Sequence, residues 1–274
     1  MADVSANVVN NAEAENFFQS DASLLAQYRR QIKANKRVQP GRPIACPSKV
    51  LAIAAEPSQF PNQIWTAESG FLARCIDLST GKAVRSFKEG HTGPITCLAL
   101  PCDSNGEITT LYTGSWDKTI ARWSIASGKR TQVLRGHSDF VKCLRPHPFA
   151  GTLYSGSADA TIREWDLATG TCRAIFKGHR RGVEDLTFSE DGQKMYTVGS
   201  DGAILIWDLT ERLAAPTTDA RPKEIKLCQR FPDASHETSI YKCLVVDGSL
   251  YTASADKTVK RWDLEVSLSC FPWT

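Results

Sequence analysis

Four segments of this chain read as variants of one another, and no other feature restricts its fold as tightly. They are Leu111-Tyr-Thr-Gly-Ser-Trp-Asp-Lys-Thr-Ile-Ala-Arg-Trp123, Leu153-Tyr-Ser-Gly-Ser-Ala-Asp-Ala-Thr-Ile-Arg-Glu-Trp165, Met195-Tyr-Thr-Val-Gly-Ser-Asp-Gly-Ala-Ile-Leu-Ile-Trp207 and Leu250-Tyr-Thr-Ala-Ser-Ala-Asp-Lys-Thr-Val-Lys-Arg-Trp262. The first three closing tryptophans recur every 42 residues, and the last follows after 55, stretched by an insertion. Each unit holds short β-rich runs parted by turn residues. In the one that closes with Trp165, Phe140–Leu144, Thr152–Ser157, Thr161–Asp166 and Cys172–Phe176 read as strands. A four-stranded sheet of this size cannot hide both faces alone, so successive sheets must stack.

A fifth, degenerate unit precedes these, with strands expected at Lys49–Ala55, Gln63–Ala67, Ala73–Leu78 and Val84–Phe87. Thr66 keeps a hydroxyl there, Gly70 stands in place of Asp, Ile76 in place of Trp, and no His leads the unit. The units then run at about 49–88, 89–134, 135–177, 178–233 and 234–274.

Bulk properties exclude little. A net charge of +3 on 274 residues does not by itself demand a nucleic-acid partner. No run approaches the roughly 18–20 apolar residues a membrane span needs, and Val50–Ala55 is strand-sized. The start Met-Ala-Asp-Val-Ser lacks a secretory pattern, so the expectation is an intracellular protein, cytoplasmic, nuclear or both. Nine cysteines without a C-x-x-C pair, three of them (Cys97, Cys143, Cys243) read as sharing one strand slot, point to buried thiols in a reducing compartment.

The units resemble the WD-repeat family of β-propellers, in which Gly-His opens a unit and Trp-Asp closes its third strand. Gly90-His91, Gly136-His137 and Gly178-His179 match, with Ser235-His236 as a variant. Trp165-Asp166, Trp207-Asp208 and Trp262-Asp263 match, with Trp123-Ser124 as a variant. The resemblance covers residues from about Lys49 onward. It implies an all-β propeller of four-stranded blades. Five units against the family's usual seven leave two architectures open, a five-bladed ring or a shortened, incomplete seven-bladed propeller.

The resemblance also implies a hydrogen-bonded network within each blade. Here the Asp precedes the Trp by six, and a hydroxyl precedes that Asp by four. The sets are His91, Thr113, Asp117, Trp123; His137, Ser155, Asp159, Trp165; His179, Thr197, Asp201, Trp207; and His236, Thr252, Asp256, Trp262. Ser, His and Asp together also suit nucleophilic catalysis. A cluster present four times, absorbing four of the five histidines, instead reads as structural. The fifth, His147, lies between two prolines and reads as a turn residue. No phosphate loop, dinucleotide fingerprint or metal-spaced Cys/His set is present, so no catalytic residue, cofactor, metal or small-molecule substrate is expected. The Trp-Asp-x-Arg motif by which some family members dock on a ubiquitin ligase is also absent; Ala126, Ala168, Thr210 and Glu265 stand at its last position.

The functional expectation is a non-catalytic scaffold or adaptor that binds other proteins through a propeller face. Trp116 stands where its sister units have Ala158, Ser200 and Ala255, and Phe140 where others have Pro94 and Gly182. Arg180 and Arg181 occupy the equivalent loop one unit on. Large aromatics and arginines on a surface are typical binding hot spots. The alternative is an RNA-associated subunit using the N-terminal extension, residues 1–45. There residues 1–19 read as disordered, and Asp21 can cap a helix over about 21–35 bearing Leu24, Leu25, Tyr28 and Ile32 on one face; the basic run Arg29, Arg30, Lys33, Lys36, Arg37, Arg42 and Lys49 reads first as a solvated linker, with a partner-docking helix, a nuclear-import signal or an RNA contact as the sharper readings. A propeller enzyme ranks third. The segment Glu211–Lys223 reads as a loop insertion in the fourth unit.

Overall fold

The computed structural model describes residues 43–56, 58–103, 105–214, 222–226, 229–230 and 236–264. The chain divides into two compact units, Met1–Ala45 and Cys46–Thr274, and the second carries the sheets. The helix expected near 21–35, the basic extension and the tail after residue 264 lie outside the described residues.

Five antiparallel sheets follow one another in chain order. The first is β1 (Val50–Ala54), β2 (Gln63–Glu68), β3 (Ala73–Asp77) and β4 (Ala83–Phe87). The second is β5 (Ile95–Ala99), β6 (Thr110–Ser115), β7 (Ile120–Ser124) and β8 (Arg130–Leu134). The third is β9 (Val141–Pro146), β10 (Thr152–Ser157), β11 (Thr161–Asp166) and β12 (Cys172–Lys177). The fourth comprises β13 (Val183–Phe188), β14 (Lys194–Gly199), β15 (Ile204–Asp208) and, further on, β17 (Gln229–Arg230). The fifth is β18 (Ile240–Val246), β19 (Ser249–Ser254) and β20 (Val259–Asp263). This is a β-propeller. Among the described residues the only helix is α1 (Thr210–Ala214).

The sheets stack through their first strands, β1 beside β5, β5 beside β9, β9 beside β13 and β13 beside β18. Each sandwiched sheet therefore buries both faces. All six residues of β10 are buried, although Ser155 and Ser157 are polar. The same keying recurs between sheets. Ile95 shares a buried cluster with Ala67, and Ile240 with Val198. Val141 and Val183 stand so close to Gly114 and Gly156 that an added Cβ would lie 2.7 and 2.8 Å from their Cγ1 atoms.

The turn between second and third strands follows from its Asp. Asp117 Oδ1 accepts the Thr119 amide at 2.9 Å, and the residue between them, Lys118, takes φ 70°. Ala160 and Lys257 adopt the same left-handed geometry, which Gly202 supplies without steric penalty.

Two sequence expectations need correction. The insertion at Glu211–Lys223 is more than a loop. It contains α1 and leads into β16 (Lys223–Lys226), which pairs in parallel with β12 and widens the third sheet to five strands. Arg212 meets the buried Glu164 at 2.6 Å, fastening the start of that excursion to the third sheet. Second, Cys243 does not share the slot of Cys97 and Cys143. Those two pair with Gly114 and Gly156, whereas Cys243 pairs with Thr252 and Lys242 takes the cysteine slot. Counting from the leading histidine, Lys242 is the true equivalent. The shared Lys-Cys-Leu string conceals a one-residue slip, which places a side chain on the opposite face of a strand.

Candidate protein-interaction site

Each good unit contains a directional chain of hydrogen bonds. In the third, Trp165 Nε1 donates to Ser155 Oγ at 2.8 Å, Ser155 Oγ lies 2.7 Å from His137 Nε2, and His137 Nδ1 lies 2.8 Å from Asp159 Oδ2. An ionised carboxylate only accepts, so Nδ1 must carry the proton. Nε2 then accepts the serine hydroxyl, which in turn accepts the indole N–H. Burial pushes the His137 pKa down, opposed by its hydrogen bond to Asp159, and the net fall favours the neutral ring this arrangement requires. Burial alone would raise the Asp159 carboxyl. Bonds from His137, Thr161 and the Ser138 amide outweigh it and hold the group below the usual carboxylate range.

The other units repeat this geometry. Trp123–Thr113–His91–Asp117 is linked at 2.8, 2.8 and 2.8 Å. Trp207–Thr197–His179–Asp201 is linked at 2.9, 2.9 and 3.1 Å, and Trp262–Thr252–His236–Asp256 at 2.9, 2.8 and 2.7 Å. Asp201, desolvated but bonded to His179 and two amides, falls to about 2. Sequence reasoning missed a further member. Thr119, Thr161 and Thr258 each donate to the Asp Oδ1 at 2.6 Å. Their recurrence two residues after the Asp was the available signal; Ala203 stands there in the fourth unit.

The degenerate first unit substitutes different chemistry. Glu68, fully buried, accepts from Thr66 at 3.1 Å, Arg74 at 2.6 Å and Ser48 at 2.9 Å. His147 is more than a turn residue. It is buried, donates from Nε2 to the Gly192 carbonyl at 2.9 Å, and accepts the Phe149 and Ala150 amides at Nδ1. It thereby ties the third unit to the fourth.

The four networks hold the loops from which the candidate contact residues project. Asp159 Oδ2 accepts the Ser138 amide at 2.9 Å, and Asp201 Oδ2 the Arg180 amide at 2.9 Å. Trp116 is bonded through its amide to Pro94, and Phe140 through its carbonyl to Ala158. Across the junction of second and third units the two rings stack, with centroids 5.1 Å apart and planes inclined 19°. Even stacked, Trp116 remains 47% and Phe140 38% exposed. Lys142, two residues beyond Phe140, pairs with Glu184 at 2.5 Å. Arg180 and Arg181 are exposed in the next loop. The structure thus brings Trp116 and Phe140 together and leaves the arginines as a separate exposed pair one unit on.

Stacked four-stranded sheets, each good one closed by a Trp–hydroxyl–His–Asp relay, define a propeller of WD type. Residues 81–124, 128–166 and 170–208 match the family described as WD domain, G-beta repeat, and these stretches of the chain are WD repeats. Those stretches begin before the fourth strand of one sheet and end at the third of the next, so each sequence repeat bridges two sheets. A WD repeat-containing protein of Schizosaccharomyces pombe is 33% identical over 134 residues, 47% of this chain and 35% of that protein. An F-box/WD-40 repeat-containing protein of Arabidopsis thaliana is 45% identical over 58 residues, 21% of this chain and 10% of that one. The small ribosomal subunit protein RACK1y of Oryza sativa is 32% identical over 60 residues, 22% of this chain and 17% of that one. The chain thus spans about a third or less of these relatives. Among the described residues no helix is long and apolar enough to cross a membrane.

Proposed function

We propose that the chain is a non-catalytic scaffold holding a partner protein on the loop edge that carries Trp116, Phe140, Arg180 and Arg181. The stacked, half-exposed Trp116–Phe140 pair carries this reading. Stacking fixes both rings before any partner arrives, so little side-chain freedom is lost on binding. Trp and Arg are the residue types that most often dominate interface energetics. A partner suited to the surface presents an apolar side chain to the rings and a carboxylate to the arginines. The polar groups that catalysis would need are engaged with one another. In each relay the hydroxyl, both histidine nitrogens and the carboxylate already have partners, which supports a structural use of the only Ser/Thr–His–Asp sets found among the described residues.

Affinity capture with the full-length chain, compared with Trp116→Ala/Phe140→Ala and with Arg180→Glu/Arg181→Glu, tests the reading. Proteins retained by the parent should fall about tenfold or more on each double variant, in line with the loss of hot-spot residues. Equal recovery on all three, with melting temperatures unchanged, would place the partner surface elsewhere.

A further inference from the structure

Two successive junctions between sheets are built on one plan, and one of them is hollow. Both lie at the end of the strands away from Trp116 and Phe140, around the buried second-strand tyrosines Tyr112 and Tyr154. Strand pairing aligns their surroundings. Tyr112 pairs with Ala99 and Arg122 as Tyr154 pairs with Arg145 and Glu164. Two residues beyond those first-strand partners stand Pro101 in one sheet and His147 in the next. On the facing sheets, Pro146 pairs with Leu153 as Phe188 pairs with Met195.

Between the third and fourth sheets the space is filled. The His147 ring lies 5.0 Å from Phe188, and Phe188 lies 5.3 Å from Tyr154. Arg212, carried in on α1, pairs with Glu164 at 2.6 Å. Between the second and third sheets, the smaller Pro101 and Pro146 stand in place of both rings, and the chain turns from β11 into β12 with no helix between. An open cavity of about 620 Å³ lies there, walled by Leu100 and Leu167, with Phe149 73% exposed on its lining. Arg122 enters it from the position that Glu164 holds in the filled junction. Its guanidinium lies 5.9 Å from the centre of the Tyr112 ring, and no carboxylate among the described residues pairs with it. Glu56 and Asp103 also line the cavity; Asp103 turns Oδ1 to the Asn105 and Glu107 amides, at 2.9 Å each.

We propose that this cleft docks a segment of a partner protein that presents an aromatic side chain to the proline-lined space and a carboxylate to Arg122. The neighbouring junction specifies the occupant. There the same space takes aromatic rings, together with a charge opposite to that of the third-strand residue. Here the third-strand residue is an arginine, so the matching charge is a carboxylate. A guanidinium placed over an aromatic face is already oriented, and its planar fork donates to both oxygens of a carboxylate. Low-dielectric walls on two sides strengthen that bond over one made on an open surface. The cleft lies at the opposite end of the strands from Trp116 and Phe140, so one chain can hold a protein on each edge.

Selection of displayed random short peptides on the full-length chain tests the proposal, followed by affinity measurements with a synthetic copy of a recovered peptide. Recovered sequences should set Asp or Glu close to Phe, Tyr or Trp. Arg122→Gln keeps an uncharged stem over Tyr112 and should melt with the parent, yet weaken the peptide about tenfold or more. Arg122→Glu should weaken it at least as much and regain binding when lysine replaces the acid of the peptide, a rescue that a misfolded variant would not show. Trp116→Ala/Phe140→Ala should leave the affinity as it is, which separates this cleft from the opposite edge. Failure to recover an acidic, aromatic peptide overturns the proposal, as does equal affinity for Arg122→Gln. So does a charge exchange that restores nothing, or a peptide lost on the Trp116/Phe140 variant.

Discussion

Replacing Asp159 with asparagine exchanges one oxygen for an amide nitrogen, yet the third sheet's relay has no place for that nitrogen. Oδ1 accepts from the Thr161 amide at 2.9 Å and its hydroxyl at 2.6 Å, while Oδ2 accepts from His137 and the Ser138 amide. With the asparagine oxygen toward Thr161, the new NH₂ faces two donors. His137 can adapt by moving its proton to Nε2, but Ser155 Oγ then accepts from both His137 and Trp165, and its own proton loses its acceptor. The Ser138 amide has no remedy within the loop. The carboxylate is 7% exposed, so solvent screening is slight. Charge-assisted bonds contribute about 1.5–3 kcal/mol each, and with two lost and partial recovery by water the expected cost is about 2–4 kcal/mol. For a domain of this size that lowers the melting temperature by roughly 5–15 °C. The acid dependence should change as well. The folded carboxyl is held below its ordinary value, so its contribution is complete above about pH 4 and is lost as pH falls below that. The variant should therefore lose stability less steeply than the parent as pH falls below about 4, by the slope of one carboxylate. Thermal melts and urea titrations across that range measure both effects. Asp117→Asn and Asp201→Asn should behave alike, and Trp165→Ala, which empties a large buried site, should cost more, about 3–5 kcal/mol. Melting within a degree of the parent for Asp159→Asn would refute the directional relay.

Gly156→Val should cost about 1–3 kcal/mol or more, because its Cβ would meet Cys143 Sγ at 2.6 Å and Val183 at 2.8 Å; a variant that unfolds in urea with the parent would contradict the close approach of the third and fourth sheets. All nine cysteines should label in denaturant without prior reduction, and in the native protein Cys102, which is exposed, should react first among the described cysteines. Cys97, pushed up to about 12 by burial, and Cys143 and Cys243, raised well above the usual thiol range for the same reason, should react only on unfolding; a mass-mapped disulfide would defeat this.

Much of this protein was legible in its sequence because the repeat writes the same local physics several times. Thr152–Ser157 and Thr161–Asp166 coincide with β10 and β11, since alternating side chains bounded by Ala-Asp-Ala and Ala-Thr-Gly leave those strands little freedom of register. The Asp–Trp spacing identified relay members because Asp must close the hairpin turn and Trp must lie across from the second strand. What depends on a neighbour was not legible. That Glu68 and Arg74 replace the relay in the first sheet, that β16 joins the sheet of the preceding unit, and that His147 reaches Gly192 are all contacts between segments 6 to 49 residues apart, with no repeated signal to announce them. The Lys-Cys-Leu string misled because identity along the chain does not reveal which residue faces which across a strand pair. Trp116 and Phe140 were each visible as oddities of their own unit, but only stacking of the second sheet on the third made them a pair. Tyr251 and Val259 look like their buried counterparts in every respect the sequence records, yet among the described residues they stand exposed, because burial is a property of the neighbouring sheet and not of the strand that carries the side chain.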